Sequence, residues 1–134
     1  MKSETIRSAV RLAEKLGKIF VATADSGGIP HVAAAGELAY DSENHVSIAA
    51  WFCPGTLANL KNNKHIALVV WDAADDQGFQ LLGEVEQIKE VAMLNGFAPE
   101  MAAPAPLPQV ERRLSVRVDK VFHFSQAPHS DIED

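Results

Sequence analysis

Cysteine is almost missing from this chain: 134 residues contain one, Cys53. No disulfide framework can form within it, so a reducing compartment, the cytoplasm, is expected. Basic residues are also in short supply. Lys and Arg number 12 against 18 Asp and Glu, for a net charge of −6. That balance argues against nucleic acid or an anionic membrane surface as a partner. Long apolar runs are lacking, and nothing approaches the ~18 consecutive apolar residues of a membrane helix. The opening MKSETIRSAV has no apolar h-region of the signal-peptide kind. His31, His45, His65, His123 and His129 show no metal-ligand spacing, so no metal is expected.

What is present suffices for one domain over residues 1–134. The chain is 47% hydrophobic, enough to fill a core at this length. Residues 3–16 read as a helix, with Ile6, Ala9, Val10, Ala13 and Leu16 on one stripe and Gly17 at its stop. Residues 18–24 are β-branched and apolar, and Asp25-Ser26-Gly27-Gly28 marks a turn. Residues 31–40 form a second strand, predicted to place Val32, Ala34, Gly36, Leu38 and Tyr40 on one face. Residues 45–51 form a third.

Pro54-Gly55 then breaks the chain, and residues 56–63 read as a short helix with Leu57 and Leu60 inward. Residues 66–71 (IALVVW) are an unbroken apolar run, predicted to be buried on both faces. Residues 79–89 make a fifth strand. Residues 90–111 break the rhythm, with a short helix predicted over 91–97 and a Pro-rich arm over 98–108. Residues 112–125 close the fold as a long strand with Leu114, Val116 and Val118 on one side. Residues 126–134 read as a disordered tail. Six strands joined mostly by tight turns predict a mainly β fold, a closed or nearly closed antiparallel barrel carrying an N-terminal helix and short connecting helices.

Three features converge in the middle of the chain. The second strand holds Val32-Ala33-Ala34-Ala35-Gly36, the third ends in Ala49-Ala50-Trp51, and the helix after it opens with Gly55-Thr56. Small side chains on neighbouring strands leave a surface that a flat ring can approach. A helix start presents free N–H groups and the positive end of the helix dipole, which favour a phosphate. Alanines on strands commonly mean tight packing of a helix or a second subunit, and Thr56 before a helix is most often an N-cap. Cys53 lies just before this turn but has no histidine or acid partner close by in sequence, so it reads as a small buried residue rather than a nucleophile. Trp51 and Trp71 end strands and read as core or interface residues.

The hairpin Gly28-Ile29-Pro30-His31, the T-x-x-N-L-x-x-N helix at 56–63 and the strand Gly78-Phe79-Gln80-Leu81-Leu82-Gly83 occur in that order. With them, residues 18–88 resemble the FMN-binding split barrel of the pyridoxamine 5′-phosphate oxidase-like family. The resemblance implies a six-stranded antiparallel split β-barrel and a homodimer with two FMN sites at the subunit interface. It implies the flavin ring against Ala33, Ala34, Ala35, Ala49, Ala50 and Trp51, and the phosphate near Gly55 and Thr56. The flavin would carry hydride or electrons to a small molecule, with no catalytic acid or base required. The expected function is thus an FMN-binding flavoprotein with oxidoreductase activity. The alternative is the same fold serving as a non-redox binding or dimerisation module, with a deazaflavin, a haem or no cofactor. The chain departs from the family pattern at one point. Family members place Lys or Arg beside the helix-start Ser/Thr and often an Arg on the second strand, where this chain has Gly55, Leu57 and Ala33.

Overall fold

Helix α1 (Lys2–Leu16) buries one stripe, Ile6, Ala9, Val10 and Ala13, and turns its charged residues outward. It ends at Gly17, whose φ of +77° is the left-handed conformation glycine adopts most readily, and whose N–H bonds the Ala13 carbonyl at 2.8 Å. The computed structural model describes residues 2–49, 54–94, 109–128 and 131–134. After α1 come β1 (Ile19–Ala24), β2 (Pro30–Ser42), β3 (His45–Ala49), α2 (Pro54–Leu60), β4 (His65–Asp72), β5 (Gln77–Leu94) and β6 (Gln109–His123).

The strands close into a barrel in the order β1-β2-β3-β6-β5-β4, every neighbouring pair antiparallel. Closure leaves no long unpaired edge. Each strand gives one face to the interior, where Val21, Ile48, Leu68, Leu81 and Val116 are at most 2% exposed. Burying each such side chain contributes roughly 1.5–3 kcal/mol. Helix α1 packs across β2, β4, β5 and β6, and α2 packs on β1 and β2.

Four elements differ from the sequence-based expectation. The first is the face of β2. Its alternation is broken at Glu37, which sits at φ +54° inside a register shift between Gly36 and Ala39. Before this bulge, Ala33 and Ala35 stand opposite Val21 and Ile19 and share their inward side. After it, Leu38 points to the core. One extra residue flips the pattern, so Val32 and Ala34 are on the face opposite Leu38.

The second is β4. It is not buried on both faces: Ile66, Leu68 and Val70 are interior, while Ala67, Val69 and Trp71 are half-buried. A strand in a closed barrel has an outside, and the apolar run therefore supplies an apolar outer surface as well as core.

The third is the segment after Lys89. The predicted helix over 91–97 is replaced, as far as Leu94, by continued strand, paired Ala92↔Glu111, Met93↔Val110 and Leu94↔Gln109. The backbone partners come from β6, which a local reading of helix propensity does not contain. Residues 95–97 and the Pro-rich stretch 98–108 lie outside the described residues.

The fourth is the C-terminal segment, which is tied to the barrel. The carboxylate of Asp76 accepts from the N–H of Gln126 (2.7 Å), the N–H of Ala127 (3.0 Å) and the indole of Trp71 (3.0 Å). These donors hold its carboxyl below the usual carboxylate range. Further on, the N–H of His123 bonds the Ile132 carbonyl, the N–H of Asp134 bonds the Val121 carbonyl, and the Asp134 carboxylate accepts from Thr5.

Candidate functional site

Helix α2 begins on Pro54, a first-turn position where a missing N–H costs nothing. Its anchor is Leu60, fully buried at the other end. Asn59 donates to the Thr23 hydroxyl at 3.1 Å and fixes α2 against the end of β1. His31 is the cross-strand partner of Thr23. Its imidazole lies directly against Gly55: a Cβ added there would be 2.9 Å from both Cε1 and Nε2. Thr56 is 1% exposed, and among the described residues its hydroxyl has no hydrogen-bond partner. An unpaired buried hydroxyl costs about 1–3 kcal/mol.

The site residues expected from the sequence are only partly brought together. Gly55 and Thr56 do open α2, and Gly36 pairs with Ala49 where β2 meets β3. Ala33 and Ala35 face inward, Ala34 faces outward and is exposed, and Ala49 is 1% exposed. These alanines therefore do not make one platform; a flat ring lying on the outer face can meet Ala34 but not its two neighbours. Ala50 and Trp51, like Cys53 and His129, lie outside the described residues. Thr23, His31 and Asn59 were not among the expected site residues. His31 and Asn59 stand within the quoted motifs, but nothing local to either motif says that their side chains meet α2 and β1.

The outer face carries a continuous apolar surface. Cross-strand register aligns Val32, Ala22, Ala67, Leu82 and Lys120 in one row over five strands. The next row is Ala34, Phe20, Val69, Gln80 and Phe122. Val32 is 62% exposed and Phe20 41%. A cavity of about 430 Å³ opens on this face, lined by Ala22, Ala24, Ala67 and Leu82 together with His65 and Lys120. Contiguous exposed apolar surface of this kind marks an interaction site.

Charges cluster away from α2. Arg117 bonds Glu84, Glu86 (3.2 Å) and Asp119 (2.9 Å). These pairs hold the Asp119 carboxyl below its usual range and keep the guanidinium protonated. Arg113 pairs with Glu37 at 3.3 Å and Arg112 with Glu90 at 3.7 Å. Among the described residues, no group of three or more His, Cys, Asp or Glu side chains is placed to hold a metal ion. No helix among them is long and apolar enough to cross a membrane.

His45 links β3 to β5 across β6. Its Nδ1 bonds the Glu43 carbonyl and its Nε2 the Glu86 carboxylate, each at 2.8 Å. Both partners only accept, so both ring nitrogens are satisfied together only in the imidazolium. The Glu43 carbonyl first, then Glu86, raises the His45 pKa, against a partial loss of solvation. A raised value in the folded state stabilises the fold fully below the ordinary imidazole range, near 6.5, and the contribution is lost as pH rises through the folded value. Melting curves from pH 5.5 to 8.5 are expected to show His45→Gln less stable than wild type at the acid end. The gap should close toward pH 8.5, and a pH-independent gap would contradict this account.

Comparison with known proteins is consistent with this geometry. The family model for pyridoxamine 5′-phosphate oxidase matches residues 8–122. In structure, the chain is similar to an FMN-binding protein from Syntrophomonas wolfei subsp. wolfei. The TM-score is 0.70 at 16% identity, covering 93% of this chain and 89% of that one. It is similar to HupZ of Group A Streptococcus, with TM-score 0.66, 16% identity and coverage of 90% and 94%. It is also similar to HutZ, the heme storage protein from Vibrio cholerae, with TM-score 0.54, 11% identity and coverage of 84% and 89%. At these identities the likeness establishes the split-barrel fold. Among curated proteins, none matches the chain in sequence.

Proposed function

We propose, from the premise that this chain belongs to the pyridoxamine 5′-phosphate oxidase family, that it binds FMN and passes hydride or electrons to a small molecule. The observation that carries this reading is the family match over residues 8–122. The fold shared with the Syntrophomonas FMN-binding protein supports it. A bound flavin would supply the redox chemistry itself. The chain's part is to hold and orient it. Exposed Ala34 in one outward row and the small side chains of Ala22 and Ala67 in the adjacent row leave room for a flat ring on the outer face. With its single cysteine, we place the protein in the cytoplasm.

One observation favours a second reading, a binding module of the same fold holding another ring cofactor: the fold is shared with a heme storage protein. Visible spectra of the protein incubated with FMN or with hemin, followed by desalting, separate the two. Retained flavin bands that bleach with NADH or NADPH support the first reading. Retained hemin without retained flavin supports the second.

The outer face suits a second copy of this chain, which would wall off the cavity and complete the site at an interface. Val32 and Phe20 are its exposed large apolar side chains on the two rows. Light scattering at micromolar concentration is expected to give twice the 14.5 kDa of one chain. The double substitution Val32→Glu with Phe20→Glu is expected to give one chain's mass, because each carboxylate would have to be desolvated at the interface. A monomeric wild type would contradict the proposal.

A further inference from the structure

We infer that the flavin site recognises the ring system and not the phosphate, so that riboflavin binds about as tightly as FMN. This rests on the flavin reading above and concerns the chemistry of its ligand. All 12 Lys and Arg lie among the described residues, so every cation of one chain can be located. Among the described residues, no hydrogen bond or ion pair joins any of them to Gly55 or Thr56, where the resemblance implies the phosphate. The nearest along the chain is Lys61, past the far end of α2 and about 9 Å along the axis from Gly55 at the usual helical rise. Lys18 stands before the opposite end of β1 from Thr23. The arginines of β6 are committed to carboxylates: Arg112 to Glu90, Arg113 to Glu37, and Arg117 to Glu84, Glu86 and Asp119.

The neutral groups at this helix start do not replace them. The Thr56 hydroxyl is shut off from solvent at 1% residue exposure. The imidazole of His31 lies over Gly55, against the backbone a phosphate would have to approach. The helix is only seven residues long, which limits its dipole. A phosphate near two negative charges would also meet a chain of net charge −6. Recognition of a phosphate without a paired cation forgoes the strong charge-assisted bonds that normally make FMN the preferred form. The small outward side chains, by contrast, can serve the ring of either molecule equally.

Fluorescence titration of wild-type protein with FMN and with riboflavin, each at 50 and 500 mM salt, tests this. Dissociation constants within tenfold of each other, or 1.4 kcal/mol, at both salt concentrations are expected. A preference for FMN beyond tenfold, shrinking at high salt, would overturn the inference while leaving the flavin reading intact, and would mean that a second chain brings a cation to the phosphate. Failure of both flavins to bind would overturn the flavin reading, and this inference with it.

Discussion

Gly83→Ala is expected to abolish folding or to cost about 3 kcal/mol or more, the largest effect of an added methyl among the described glycines. A Cβ at residue 83 would lie 1.9 Å from the Arg117 carbonyl oxygen and 2.9 Å from its carbon. These are backbone atoms, and no rotamer change relieves the clash. Strand β6 cannot back away, because it is paired with β3 on one side and β5 on the other within a closed barrel. The close approach coincides with the register shift between Leu82 and Gly83. Gly27→Ala is the matched control. Its added Cβ would meet only the Asp25 carboxylate, at 3.4 Å, an ordinary contact. Urea denaturation should find that control within about 1 kcal/mol of wild type, as surface substitutions generally are. A Gly83→Ala protein equally close to wild type would mean that β5 and β6 do not approach as described.

The second large effect is expected at Leu60. It is fully buried at the C-terminal end of α2 and is the main apolar attachment of that short helix, with Leu57 only partly buried. Leu60→Ala should cost about 2–5 kcal/mol in transfer and cavity energy, lowering the melting temperature by roughly 6–20 °C for a chain of this size. Loss of this anchor should also loosen the contacts of Gly55 with His31 and of Asn59 with Thr23. Because α2 packs on β1 and β2, the strands that carry Ala22 and Ala34, flavin affinity is expected to fall along with stability. Leu81→Ala on β5 separates the two consequences. Leu81 is 1% exposed, so its truncation should cost a similar amount. Helix α2 packs chiefly on β1 and β2 rather than on β5, and at a temperature where both variants are folded the flavin affinity of Leu81→Ala should match wild type. Equal losses of affinity in the two variants would show that α2 has no special part in the site.

Much of the barrel is legible in the sequence because its strands report on themselves. Leu114, Val116 and Val118 alternate with polar residues, and all three are at most 1% exposed. The turn at Asp25 carries its own chemistry: the carboxylate accepts from the N–H groups of Gly27 and Ile29, each at 2.9 Å. What the sequence hides depends on distant partners. No local pattern says that residues 92–94 pair with 109–111, so an apolar stretch there reads as helix. Nor does alternation along β2 announce that Glu37 breaks it.

The candidate site was legible as a location more than as a surface. Gly55 and Thr56 open α2, which packs on β1 and β2, but three consecutive alanines cannot all face one ring on a pleated strand. The unbroken apolar run of β4 reads, from the sequence alone, as doubly buried core. Its outward half instead joins Ala22, Leu82 and Val32 in a surface that only cross-strand register reveals.

The most direct test of flavin binding is titration of FMN fluorescence with the purified wild-type protein. The account predicts quenching that saturates at one flavin per chain. Fluorescence that stays unquenched at protein concentrations far above that of the flavin would contradict it.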